Sequence, residues 1–278
     1  MLYKIIGDSC TDITREMKQD GWISLVPLTL EAAGKTFSDD DTFCQKEFLA
    51  AMEESEECPK SACPSPERYM KEFEEADENY VVTLSSALSG SYNSAMLAKS
   101  MYLEEHPEKK IEVVDSHSAS VGQTLIAMKI RELKELGFSF EEVKVRIEKF
   151  RNGLHTKFVL ESLENLRKNG RLTNLTAMIC NALNIKPVMG GTAGGTIEKL
   201  DQARGMSRAL NRMIELMERD VTDAAHRIIG VAHCNNRERA EYVRHEILKR
   251  IPFRDCIIVD TAGVSSLYAN NGGIIVAY

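Results

Sequence analysis

The segment LSSALSGSYNSA, residues 84 to 95, concentrates the side chains best suited to hold a small anion: Ser85, Ser86, Ser89 and Ser91 surround Gly90. Hydroxyls of this kind donate to a carboxylate or phosphate, and a glycine among them lets the backbone approach the ligand. Helix capping would use the same serines equally well. A second hydroxyl-bearing turn, PKSACPSPERY at residues 59 to 69, could converge on the same spot.

Sharper chemistries are poorly matched. Asp115, His117 and the nearby serines supply the residue types of a Ser-His-Asp hydrolase, yet the chain has no GxSxG elbow to carry the nucleophile. His106, His155, His226, His233 and His245 stand alone, without an HExxH pair. The seven cysteines form no CxxC pair, and Cys58 with Cys63 lacks companions at a metal-ligand spacing, so reduced thiols are expected. Gly190 to Gly195, GGTAGG, resembles a phosphate cradle in composition, but a strand-like TIEKL follows where a cradle needs a helix, so a hairpin loop is expected.

The elements that must position these residues read as an α/β chain. Apolar runs at 2 to 6, 25 to 30, 80 to 84 and 111 to 114 alternate with amphipathic stretches, the pattern of parallel strands joined by crossover helices. Three of these runs end in a polar turn, at Asp8-Ser9, Ser85-Ser86 and Asp115-Ser116, where open parallel sheets bind ligands. Ser65 followed by Pro66 predicts a helix start, and Ser139 with Glu142 predicts a capping box. After Asn152-Gly153 the rhythm changes. Strands at 185 to 189 and 196 to 200, joined through GGTAGG, predict a hairpin and hence a mixed sheet, with further strands at 228 to 232, 256 to 259 and 274 to 276. The expected architecture is two α/β domains, residues 1–153 with a mostly parallel sheet and residues 154–278 with a mixed sheet.

Composition narrows the function classes. Apolar residues make up 43% and charged residues 28%, the profile of a globular chain. A net charge of −7 leaves no cationic field for a phosphate backbone, which argues against nucleic-acid binding. MLYKIIGDS reads as a strand rather than a signal peptide, and no run reaches the ~18 apolar residues of a membrane span, so a cytoplasmic location is expected.

Several segments together resemble the DegV family of fatty-acid-binding proteins: DSCTD from Asp8, KSACPS, LSSALSGSYNSA, DSHSASVG from Asp115, LENLRKNGRL from Leu163 and LNIKPVM from Leu183. The resemblance spans nearly the whole chain in the family's order. It implies a fatty acid between two domains, with no further cofactor, its carboxylate near the hydroxyls of Ser61, Ser86 and Ser89. It also implies a non-catalytic role, presenting the lipid to a separate ATP-using fatty acid kinase subunit. By the same resemblance Arg171 and Arg204 match basic positions exposed toward that partner. The family's GTHxGPG region appears here as SSLYANNGG, with Tyr268 where a lipid-contacting histidine is expected. A phenol can donate a hydrogen bond at neutral pH but brings no positive charge. The alternative of another class is a self-sufficient hydrolase or phosphotransferase acting on a small hydroxylated metabolite.

Overall fold

The structure is a computed structural model and describes residues 2–172 and 184–278; Cys180 and Leu183, which opens the LNIKPVM motif, lie outside the described residues. The first half runs β1 (Tyr3–Asp8), α1 (Arg15–Asp20), β2 (Ile23–Val26), β3 (Thr29–Ala32), β4 (Lys35–Ser38), α2 (Gln45–Glu54), β5 (Lys60–Ala62), α3 (Pro66–Phe73), β6 (Glu78–Thr83), α4 (Ser91–Glu105), β7 (Lys110–Asp115), α5 (Val121–Glu135) and α6 (Phe140–Asn152). The second half continues β8 (Thr156–Val159), α7 (Glu164–Lys168), β9 (Ile185–Gly191), β10 (Ile197–Arg204), α8 (Met206–Asp220), β11 (Ile228–His233), α9 (Arg237–Arg250), β12 (Asp255–Asp260), α10 (Gly263–Ala269) and β13 (Ile274–Ala277). Among the described residues no helix is long and apolar enough to cross a membrane.

The N-terminal sheet has the order β2-β1-β6-β7 and is parallel throughout, as the apolar runs predict. All six residues of β6 are buried, the signature of a central strand covered on both faces. The second sheet, β10-β9-β8-β13-β11-β12, is mixed: β11 and β12 run parallel and the other pairs antiparallel. Its β9–β10 pair is the expected hairpin, turning at Thr192 to Gly195, where Gly195 takes a φ of 76°.

One expectation is corrected. The apolar run at 25 to 30 is not one strand but two: Val26 ends β2, and Thr29 opens β3 in a separate small sheet, β4-β3-β5. Pro27 sits at the break, where its missing N–H removes a ladder bond. This small antiparallel sheet places Ser61 on β5 opposite Leu30.

Helix α5 lies between the two large sheets. Ile126, Ile130 and Leu133 pack with Ile5, Tyr80 and Val82 of the first sheet. Val121 and Leu125 pack with Ala232, Val259 and Ala277 of the second. Two buried faces explain why every residue from Val121 to Ala127 is buried. Gly230 of β11 makes room: a Cβ there would collide with the Val121 side chain. Helix α6 begins with the predicted capping box, the Glu142 carboxylate accepting the Ser139 N–H at 2.9 Å while Ser139 Oγ accepts the Glu142 N–H.

Candidate functional site

The strand ends of the first sheet are organised by a buried carboxylate. Asp8, at the end of β1, accepts hydrogen bonds from the Leu84 N–H (2.7 Å), Ser91 Oγ (2.5 Å), Gln123 Nε2 (2.9 Å) and the Cys10 N–H (3.2 Å). Burial nevertheless pushes its carboxyl above the ordinary range, against the pull of these donors. Ser91 is therefore spent on holding the 84–91 loop. Ser85 is likewise occupied, donating to the Gly195 carbonyl at 2.8 Å and so fastening the loop to the hairpin tip of the second sheet.

Four side chains from four separate elements meet beside that loop: Ser61 of β5, Ser89, Arg171 beyond α7, and Tyr268 of α10 line one polar mouth. Ser61 Oγ and the Tyr268 hydroxyl are 3.3 Å apart. The Arg171 guanidinium carbon lies 5.9 Å from the Tyr268 ring centre, and its Nε donates to the Leu88 carbonyl at 3.1 Å. A further Arg171 nitrogen donates to the Asn169 carbonyl. Ser89 Oγ accepts the Ser91 N–H at 3.2 Å, which leaves its own O–H to donate elsewhere. Together these groups offer three hydroxyls and a cation, a donor set suited to a carboxylate.

The mouth opens into a mostly apolar cleft between the two large sheets. Leu84, Leu88, Arg171 and Tyr268 line both. Beyond them the walls are Ala119 and Cys10 on one side and Phe158, Leu160, Leu166, Ile197 and Ile275 on the other. Its empty volume is about 750 Å³, part of it open to solvent. Hydroxyls that reach the cleft have protein partners, as in Ser118 Oγ to Thr156 Oγ1 at 2.6 Å and Ser120 Oγ to Asp12 Oδ2 at 2.5 Å. The cleft is therefore a mostly apolar cavity continuous with one polar mouth.

The sequence-derived candidates divide accordingly. Ser61, Ser89 and Tyr268 come together, although they are far apart in the chain. Ser86 does not join them: it is exposed, lines neither cleft nor mouth, and its N–H donates to Asp115 Oδ1. Arg204 is exposed at the end of β10. Arg171, expected on a partner-facing surface, is half-buried at the mouth. Nothing in the pattern NGR signals this, because Arg171 owes its place to the turn after α7. Asp12 and Asp39 were also missed. Both are buried, at 1% and 4% exposure, and they bridge to α10. Asp39 belongs to the run SDDD, which reads as a solvated loop.

Among the described residues no Ser-His-Asp triad assembles around His117. His117 Nε2 lies 3.5 Å from Asp115 Oδ2, while the hydroxyls of its neighbours Ser116 and Ser118 are engaged with the Ser118 carbonyl and with Thr156. Among the described residues no group of three or more His, Cys, Asp or Glu side chains could hold a metal ion.

Comparison with known proteins bears on the family and the fold. The model of the DegV family, described as an uncharacterised protein family, matches residues 3–278. A DegV domain-containing protein of Streptococcus pneumoniae is 37% identical over 282 residues, covering 100% of this chain and 99% of that protein. A crystal structure of a DegV family protein from Ruminococcus gnavus with vaccenic acid superposes with a TM-score of 0.96 at 48% identity, covering 99% of each chain. The S. pneumoniae Fatty Acid Kinase (Fak) B3 protein, solved with linoleic acid, gives a TM-score of 0.91 at 36% identity, covering 100% of this chain and 99% of that one. With a full-length family match and a shared architecture, the chain belongs to the DegV family.

Proposed function

We propose that this protein binds a long-chain fatty acid in the cleft, with the carboxylate at Ser61, Ser89, Arg171 and Tyr268, and presents it in the cytoplasm to a separate ATP-dependent fatty acid kinase subunit. Residues 1–153 and 154–278 then act as two domains that close on the lipid from either side. The observation that carries the reading is the continuity of an apolar cleft with a mouth of three hydroxyls and a guanidinium.

The energetics favour this occupant. Burying the tail of a fatty acid of about sixteen carbons at ~0.8 kcal/mol per methylene gives a gross gain above ~10 kcal/mol. Ordering and desolvation subtract from it, and an unpaired carboxylate in the same cleft would subtract more. The polar mouth thus prevents a loss, while the tail supplies the affinity. A head group at the rim also stays within reach of a second protein, as a presenting role requires.

The fatty acids in the R. gnavus and S. pneumoniae structures support the ligand class, and the kinase name of the S. pneumoniae protein supports the partner. Exposed Arg204 is the remaining candidate for a partner contact. The partner role is tested by mixing the lipid-loaded protein with such a kinase subunit and ATP and trapping acyl phosphate with hydroxylamine. Hydroxamate that depends on both proteins supports presentation; hydroxamate or hydrolysis products from this chain alone would refute it.

A further inference from the structure

We infer that Asp12 and Asp39 are positioning residues for the head-group end of the cleft: reaching from the first half of the chain, they hold the start of α10 and through it set where Tyr268 meets the ligand. Helix α10 has no side-chain cap of its own. Its first free N–H groups go instead to two distant carboxylates. The Ala262 N–H donates to Asp12 Oδ1 at 2.6 Å, the Gly263 N–H to Asp39 Oδ1 at 2.6 Å, and the Val264 N–H to Asp39 Oδ2 at 3.0 Å. Uncapped helix N–H groups carry partial positive charge, so anions are the partners they favour.

Both carboxylates are themselves braced. Ser9 Oγ donates to Asp39 Oδ2 at 2.8 Å, and Ser120 Oγ to Asp12 Oδ2 at 2.5 Å. Gly263 makes the two-pronged contact possible, since a Cβ there would lie 2.6 Å from Asp39 Oδ1 and would also strike Leu30. Neither carboxylate lines the cleft or its mouth. Tyr268, near the other end of the same short helix, lines both and meets Ser61. A shift at the start of so short a helix is passed to Tyr268, which would move the phenol relative to Ser61 and Arg171.

This inference rests on the proposed reading of the cleft, and its test separates the two. Binding of hexadecanoate and hexadecanol is measured by calorimetry for wild type, Asp39→Asn, Tyr268→Phe and the double variant. If Asp39 acts through Tyr268, Asp39→Asn weakens hexadecanoate binding about three- to tenfold, and adds little in the Tyr268→Phe background because the two changes are coupled. Hexadecanol binding stays within about twofold, since a neutral head group gains less from each donor. Gly263→Ala, which displaces the helix without altering charge, gives the same pattern, and its cycle carries the test if Asp39→Asn fails to fold. Losses that multiply independently in the double variant, or that are equal for acid and alcohol, overturn the inference alone. A wild type that binds neither ligand overturns the reading of the cleft, and the inference with it.

Discussion

Replacing Tyr268 by phenylalanine removes one oxygen from the mouth and little else. The ring keeps its packing against the apolar residues around α10 and its position under the Arg171 guanidinium. Without ligand, the hydrogen bond lost among the described residues is the 3.3 Å contact with Ser61, long and part-buried, so the stability cost should stay below ~1 kcal/mol. With a carboxylate bound, the lost bond is one to a charged acceptor and costs about 1.5–3 kcal/mol, roughly a ten- to hundredfold drop in affinity. The matching fatty alcohol keeps the same tail contacts and loses only a neutral bond, about 0.5–1.5 kcal/mol. Titration calorimetry of both ligands against wild type and variant reads these differences directly. Acid affinity within twofold of wild type, or equal losses for acid and alcohol, would show that Tyr268 packs without binding the anion.

Other consequences follow from the same geometry. Ser61→Ala should weaken acid binding by about tenfold or more and alcohol binding much less, whereas an equal loss for both ligands would mean that Ser61 only shapes the pocket. Ala119→Phe, placed in the wall of the cleft away from the mouth, should abolish binding of acid and alcohol alike; retained binding of either would put the tail elsewhere. Removing bound lipid should lower the melting temperature, and adding hexadecanoate should restore it by mass action; an unchanged melting temperature would contradict binding to the native state. Burial pushes the Asp12 carboxyl up to about 7 and that of Asp39 up to about 6, so each holds its proton more tightly folded than unfolded. Their joint contribution to stability is complete below the ordinary carboxylate pKa of ~4 and is lost as pH rises through those values. The melting temperature of Asp12→Asn should therefore fall less steeply than that of wild type between about pH 5 and pH 8, and parallel profiles would refute the assignment.

The sequence made most of the scaffold legible, because strand and helix periodicity is local. The parallel strands, the Ser139 capping box and the β9–β10 hairpin all follow from neighbours within a few residues. The small sheet β4-β3-β5 was not legible: its strands are short, and the chain reaches it by breaking an apolar run at Pro27. The residues of the candidate mouth were legible where they follow a strand end, as for Ser89, and where the family pattern marks a position, as for Ser61 and Tyr268. The direct approach of Tyr268 to Ser61 was not, since β5 and α10 meet only through the tertiary fold. Asp39 and Arg171 show the limit most clearly. One looks like a solvated acid and the other like a surface base, and only packing reveals that the first caps a distant helix while the second faces the mouth.

The central claim is that the cleft holds a long-chain fatty acid by its tail, with a free carboxylate at the mouth. Organic extraction of the purified protein, followed by mass spectrometry of both the extract and the remaining intact chain, tests this most directly. The expected result is a long-chain fatty acid in stoichiometric amount in the extract and an unmodified mass for the chain. Recovery of no lipid after loading with hexadecanoate, or an acyl group left covalently on a serine, would contradict it.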